Sequence, residues 1–150
     1  MAPEHTFLLN KARKFCAYQE RSIFDLKSKL LSWNVSEKII AEIILLLKKE
    51  DFINEERFTF AFATGKLRNN KWGKNKIGYA LRQKQIPELT IQIALNSLDE
   101  DEYIKTLKAI LSSKNIDDDN DFRRNSKLVK YAQQKGFQPD LVWKVIKNEI

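Results

Sequence analysis

An apolar pattern occurs three times along this 150-residue chain, and a constant 51 residues separate its copies. Six positions match in all three copies. They are Leu26, Ile77 and Leu128; Leu30, Leu81 and Ala132; Val35, Ile86 and Phe137; Ile40, Ile91 and Val142; Ile43, Ala94 and Val145; and Ile44, Leu95 and Ile146. The first two positions are four residues apart, and the last three share one helical face. Each copy therefore predicts a helix, a short turn with one apolar residue, and a second helix.

Capping residues predict where these helices begin and end. We expect Ser22 to cap the first helix of copy one, with Asp25 as its capping-box partner. Gly73 and the pair Asn125–Ser126 are predicted to open the equivalent helices of copies two and three. Gly136 is predicted to form the turn that precedes the apolar residue of copy three.

One further helical stretch precedes each pair, at about residues 6–18, 55–68 and 101–114, and it does not superimpose at the same spacing. Because no segment alternates for long and only four glycines and three prolines are present, the predicted class is all-α. We expect three three-helix modules over residues 1–52, 53–100 and 101–150. Modules this small bury little surface alone, so they should stack into an elongated, curved array.

The composition argues against most enzymes. A single cysteine, Cys16, excludes an internal disulfide and a multi-cysteine zinc site, and a single histidine, His5, leaves no Ser-His pair. No glycine-rich phosphate loop is present, so we expect no nucleotide hydrolysis, no catalytic residues and no cofactor. The N-terminal residues do not resemble an export signal, and no apolar stretch is long enough to span a membrane. A cytoplasmic protein is the expectation.

The acidic segment at residues 117–121 resembles the opening of a calcium-binding loop. Phe122, however, occupies the glycine position of such a loop, and Leu128 occupies the position of its bidentate glutamate. We therefore expect no metal site here. An acidic loop between modules, repelling DNA, is the preferred interpretation.

Positive charge is concentrated in the middle of the chain. The net charge is +7, and the segment from Arg57 to Pro87 contains eight basic residues and no acidic residue. Such a run is often just a solvated surface. Without compensating acids, it favours a polyanionic partner, either a nucleic acid or an acidic protein groove.

Four segments resemble motifs of a known family, and they occur in the family's order. They are Arg21–Leu30, Asp51–Phe58, the Trp-Gly segment Lys71–Ile77 and the closing segment Lys135–Phe137. The family is RecX, the regulatory proteins of the RecA recombinase, and the resemblance extends from about residue 8 to residue 148.

The resemblance implies a monomeric array of three-helix repeats that lies in the groove of the RecA–single-stranded DNA filament. Proteins of this family limit filament growth, ATP hydrolysis and strand exchange, in recombination and in the SOS response. Two other functions remain open. Helix–turn–helix geometry with basic charge also fits an autonomous nucleic-acid-binding protein, and the array alone fits a scaffold for an unrelated protein.

The candidate surface for contacts to the filament or to DNA combines the central basic run with four basic residues of the third module. It comprises Arg57, Lys66, Arg68, Lys71, Trp72, Lys74, Lys76, Arg82, Lys84, Arg123, Arg124, Lys127 and Lys130. Arginine forks suit carboxylates and phosphates, whereas lysines supply a less directional charge. Trp72 could stack on an exposed base, but packing at a module junction is the preferred interpretation of this side chain.

Overall fold

The computed structural model describes the backbone of residues 3–150 and the side chains of residues 5–150. Within this part of the chain there are nine α-helices and no strand, which confirms the all-α prediction. The helices are α1 (Pro3–Tyr18), α2 (Ile23–Ser32), α3 (Glu37–Lys49), α4 (Glu55–Asn70), α5 (Lys74–Gln83), α6 (Glu88–Asn96), α7 (Glu100–Ser113), α8 (Asp121–Gln134) and α9 (Pro139–Ile146). None of the described helices is both long and apolar enough to cross a membrane.

The repeated pattern corresponds to the helix pairs α2–α3, α5–α6 and α8–α9. Fourteen of its eighteen positions are buried, and the other four, Leu128, Val35, Ile44 and Ile146, are half-buried. The pattern therefore marks the inward faces of the two helices that each copy contributes. The module limits at residues 52 and 100 stay predictions.

The turn between the paired helices is built in the same way three times. Asn34, Gln85 and Gly136, again 51 residues apart, have φ values of 60°, 61° and 100°. In each copy the next residue donates its N–H to the carbonyl five residues earlier. The bonds are Val35 N to Leu30 O (3.2 Å), Ile86 N to Leu81 O (3.3 Å) and Phe137 N to Ala132 O (3.0 Å). This arrangement ends the helix and directs the apolar residue of the turn toward the core.

The structure confirms two of the predicted helix starts and corrects one. Ser22 forms a complete capping box with Asp25, and Gly73 is the N-cap of α5. The predicted start at Asn125–Ser126 is wrong, because α8 already begins at Asp121. Asn120 provides the cap, since its side-chain oxygen accepts the N–H of Arg123 at 2.9 Å.

The buried side chains among residues 5–150 form two separate clusters. One lies among α1, α2 and α3 and includes Leu9, Leu30 and Leu47. The other extends through α4 to α9, from Phe58 to Val145. Modules two and three therefore share one hydrophobic core, whereas module one has its own.

Two glycines bring the backbones of modules two and three into direct contact. Gly73 donates its N–H to Lys135 O at 2.8 Å, and Asn75 donates its N–H to Gly136 O at 2.9 Å. A Cβ atom on Gly73 would lie 2.4 Å from the carbonyl carbon of Gly136. The second bond satisfies one of the free N–H groups in the first turn of α5, so this helix is capped by the neighbouring module.

Tyr103 contributes to the same interface between modules two and three. Its hydroxyl accepts the N–H of Lys74 at 2.9 Å and donates to Oε1 of Gln138 at 2.6 Å. Its ring packs against Phe137 with the ring centroids 5.1 Å apart. Burial raises the pKa of Tyr103 to about 12. In the folded protein the hydroxyl therefore stays protonated at pH values at which an ordinary tyrosine ionises.

We expect the stability of this interface to fall at high pH. Tyr103 has a raised pKa in the folded state, so its contribution is fully present below the unfolded pKa of about 10 and is lost as pH rises toward about 12. Over this window the free energy of unfolding should fall by up to about 1.4 kcal/mol per pH unit more in the wild type than in Tyr103→Phe.

Urea denaturation of both proteins at pH 8, 10 and 11 tests this expectation, because the titration of lysines cancels in the comparison. At pH 8 the Tyr103→Phe variant should be less stable by about 1–3 kcal/mol, since the N–H of Lys74 loses its partner. Parallel pH curves for the two proteins would contradict the assignment.

Candidate binding surface

The predicted contact residues divide into paired and unpaired cations. In the central run, every arginine and Lys84 form an ion pair. The pairs are Arg57 with Glu20 (2.6 Å) and Asp51 (3.1 Å), Arg68 with Glu102 (2.6 Å), Arg82 with Glu88 (2.6 Å) and Lys84 with Asp25 (2.6 Å). All five carboxylates lie outside residues 57–87. The run is therefore uncompensated along the sequence but partly compensated in space, which corrects the prediction.

These arginine pairs hold at neutral pH but remain accessible. Arg82 and Gln92 donate hydrogen bonds to Glu88 and lower its pKa to about 2, and the Arg68 hydrogen bond lowers the pKa of Glu102. The arginine side chains are 39–61% exposed. Exposed pairs of this kind contribute little to stability, so a phosphate or carboxylate of a partner can compete for the guanidinium groups.

Four lysines of the central run, Lys66, Lys71, Lys74 and Lys76, make no ion pair with the described residues, and two of them lie beside Trp72. The ammonium groups of Lys66 and Lys76 lie 4.9 Å and 4.6 Å from the centroid of the Trp72 ring. Lys74 lies 5.1 Å from the Tyr103 ring, and Lys71 donates to Arg68 O at 2.7 Å. The four lysines therefore carry positive charge that no ion pair neutralises, and Lys71 lies near the Glu102 carboxylate that pairs with Arg68.

Trp72 is half-buried and packs against the shared core of modules two and three. Lys71, the C-cap of α4, adopts the left-handed conformation with φ 58° and turns the chain toward α5. This position agrees with the interpretation preferred from the sequence, in which Trp72 packs at a module junction. The remaining exposed part of the indole lies beside the two lysines.

The basic residues of the third module face an acidic loop of their own module. Asp118 accepts hydrogen bonds from Lys127 at 3.0 Å and from Arg123 at 3.3 Å, and these contacts help lower its pKa. Arg124 pairs with Asp121 at 2.6 Å. The loop thus neutralises part of the predicted contact surface, and only Lys130 has no ion pair or hydrogen bond among the described side chains.

No cluster of three or more acidic, histidine or cysteine side chains that could hold a metal ion occurs in the described part of the chain.

A groove along α5 contains aromatic residues that the charge pattern did not single out. It is open, with a volume of about 520 Å³. Its lining includes Phe24, Trp72, Lys76, Tyr79, Ala80 and Lys84. Lys76, Tyr79 and Ala80 have the spacing of residues on one face of a helix. This spacing was the signal in the sequence that could have identified them. Phe24 comes from α2, so only the folded chain shows that it joins them.

Comparisons with known proteins agree with this geometry. Residues 54–95 match the family described as RecX, second three-helix domain. Proteins named regulatory protein RecX are similar along most of the chain. The one from Clostridium botulinum is 29% identical over 129 residues (83% of this chain, 59% of its own length). The one from Clostridium tetani is 30% identical over 133 residues (86% and 57%), and that of Bacillus subtilis is 28% identical over 137 residues (89% and 51%).

Two solved structures share the fold. A crystal structure of RecX from Lactobacillus salivarius superimposes with a TM-score of 0.86 at 21% identity, covering 99% of this chain and 97% of that one. A second crystal structure, of a regulatory protein RecX, gives a TM-score of 0.77 at 21% identity, with 97% and 74% covered. The chain spans about half to three fifths of the length of the curated relatives it matches.

The fold and its repeated helix pairs define a protein built from tandem three-helix repeats. The second module matches the family described as RecX, second three-helix domain, and most of the chain is similar to proteins named regulatory protein RecX. These matches confirm the resemblance to the RecX family that was found in the four sequence motifs.

Proposed function

We propose that this protein regulates the RecA recombinase by binding the RecA–single-stranded DNA filament. The regulation is inhibitory: it limits filament growth, ATP hydrolysis and strand exchange, and with them recombination and the SOS response. The observation that carries this proposal is the similarity to three proteins named regulatory protein RecX along 83–89% of the chain. The protein acts as a cytoplasmic monomer, without enzymatic activity or a cofactor of its own.

The distribution of charge supports a partner that is a polyanion or an acidic protein surface. Lysines 66, 71, 74 and 76 form no ion pair with the described residues, although the charge of Lys71 helps lower the pKa of the nearby Glu102. Several weak contacts along an array of modules add through effective concentration, so no single residue need dominate. Such an array shifts the filament only if it binds one filament state more tightly than the others.

The composition of α6 disfavours the second module as an autonomous helix–turn–helix DNA reader. In that geometry the second helix of the pair enters the major groove and contacts the bases and nearby phosphates. Helix α6 (Glu88–Asn96) occupies this position in the second module, and it contains no lysine or arginine. Its exposed Leu89 and Ile93 cannot form hydrogen bonds with the donors and acceptors at the edges of base pairs.

The ATPase activity of RecA on single-stranded DNA tests the proposal. We expect the rate to fall when this protein is added at micromolar concentration. A variant with Lys66, Lys71, Lys74 and Lys76 replaced by glutamine should need about tenfold more protein for the same effect, because four charge contacts are lost. A control variant with the same charge change at Lys38, Lys48, Lys49 and Lys108 should act like the wild type.

An unchanged ATPase rate and filament length at micromolar concentration would refute the proposal. Equal losses in the two lysine variants would show that only net charge matters and that the cluster is not the contact surface. Binding to one duplex sequence with an affinity that resists salt would instead favour the autonomous DNA-binding alternative.

A further inference from the structure

We propose that the groove along α5 binds single-stranded nucleic acid by stacking an unpaired base on the ring of Tyr79. The proposal rests on the proposed function, because it names the part of a nucleoprotein filament that this groove contacts. In this arrangement Trp72 and Phe24 form the apolar walls, and the unpaired Lys66 and Lys76 lie beside the phosphates.

No contact within the described part of the protein accounts for the exposed position of Tyr79. Its side chain is 64% exposed, and it makes no hydrogen bond, aromatic contact or cation–π contact with the described residues. Ala80, the next residue, is small and also lines the groove, so it leaves the space beside the ring open. A large aromatic ring that is mostly exposed and makes no specific contact within the protein is available for a ligand.

The groove combines positive charge, which attracts phosphates, with aromatic rings, which stack on bases. Lys76 lines it without an ion pair, Lys66 lies 4.9 Å from the Trp72 ring, and the only acid among the described residues that neutralises a lining residue is Asp25, which pairs with Lys84. A ligand with flat apolar rings at intervals along an anionic backbone satisfies both features. Unpaired nucleotides have this chemistry, and proteins bind them by stacking bases on aromatic residues within a basic groove.

The groove is composite, because its lining comes from two modules. Phe24 belongs to α2 of module one, whereas Trp72 and Tyr79 belong to module two. Lys84 connects the two sides through its 2.6 Å ion pair with Asp25. A strand bound here would contact both modules, so binding should also hold module one in place.

The first test measures binding of a fluorescein-labelled 20-mer of deoxythymidine by fluorescence anisotropy, without RecA. Tyr79→Ala should weaken binding about tenfold, since base stacking on an aromatic side chain is typically worth 1–3 kcal/mol. Tyr79→Phe keeps the ring and should bind within about twofold of the wild type. Phe122→Ala removes another exposed ring, on α8, and should also leave binding unchanged.

A second strand separates base stacking from phosphate attraction. An abasic 20-mer has the same backbone charge but no bases, and it should bind the wild type about tenfold more weakly than the thymidine strand. If the unpaired lysines Lys66 and Lys76 contact phosphates, log affinity should fall against log salt with a slope near about −1.4. Tyr79→Ala should keep this slope, because the phosphate contacts are intact.

Three results would overturn the inference: no binding of the thymidine strand by the wild type, equal binding by Tyr79→Ala, or equal affinity for the abasic strand. Failure here is distinguishable from failure of the proposed function. A protein that inhibits RecA but binds strands independently of Tyr79 refutes only the groove. A protein that binds strands through Tyr79 but leaves the RecA ATPase unchanged refutes only the filament regulator.

Discussion

Replacing Gly136 by alanine should lower the free energy of unfolding by more than about 3 kcal/mol. The residue has φ +100°, a conformation that L side chains rarely adopt. A Cβ atom would also lie 2.3 Å from the Cβ and 2.6 Å from the backbone nitrogen of Lys76. Because neither atom is the end of a flexible side chain, α5 would have to move away from the turn. The urea midpoint, followed by circular dichroism, measures the effect.

Gly65 provides the matched control for this substitution. It lies in the interior of α4, where an added Cβ would meet only the side-chain nitrogen of Asn69 at 3.8 Å. Gly65→Ala should therefore be neutral or stabilising by up to about 1 kcal/mol, since alanine is the better helix former. If the two alanine variants had the same midpoint, the close contact between modules two and three would not exist in solution.

The repeat made most of the fold predictable from the sequence. Its apolar positions identify the paired helices because burial in a helix requires the same spacing wherever it occurs. The turns were harder to predict. Gly136 was recognisable as a glycine, but Asn34 and Gln85 adopt the same left-handed conformation without one. Only the φ values and the matching backbone hydrogen bonds show that all three turns are built alike.

Part of the candidate surface could not be predicted, because it depends on contacts between distant segments. Arg57 pairs with Glu20, 37 residues away, and Lys84 pairs with Asp25, 59 residues away. A linear count of charge therefore overstates the free positive charge of the central run. Tyr79 was missed for a related reason, since the groove that makes its exposure meaningful includes Phe24 from another module.

The two separate cores lead to the second large expected effect. Leu30 and Leu81 are equivalent positions of the repeat, and both are fully buried. Replacing either by alanine should cost about 2–5 kcal/mol, from lost burial and the remaining cavity. The effects should differ in extent. Leu30→Ala should increase amide hydrogen exchange in α1–α3 only, whereas Leu81→Ala should increase it throughout α4–α9.

The physical reason for this difference is that the interface between modules two and three is apolar, whereas the interface between modules one and two is polar. Modules two and three share an apolar core and a backbone contact, so the loss of one side chain weakens both. Module one is held by polar contacts, among them Arg57 to Glu20 and the N–H of Ile23 to Glu55 at 3.1 Å. Half-exposed polar contacts stabilise far less than a core side chain, so module one can open while the others stay folded.

Hydrogen exchange measured by mass spectrometry on peptides from each helix distinguishes the outcomes, and each leucine variant serves as the control for the other. Raising the salt concentration should increase exchange in α1–α3 further, because screening weakens the ion pairs at the polar interface but not the apolar one. A uniform rise over α1–α9 in both variants would contradict the division, since it would require the polar interface to transmit unfolding as strongly as the shared core does.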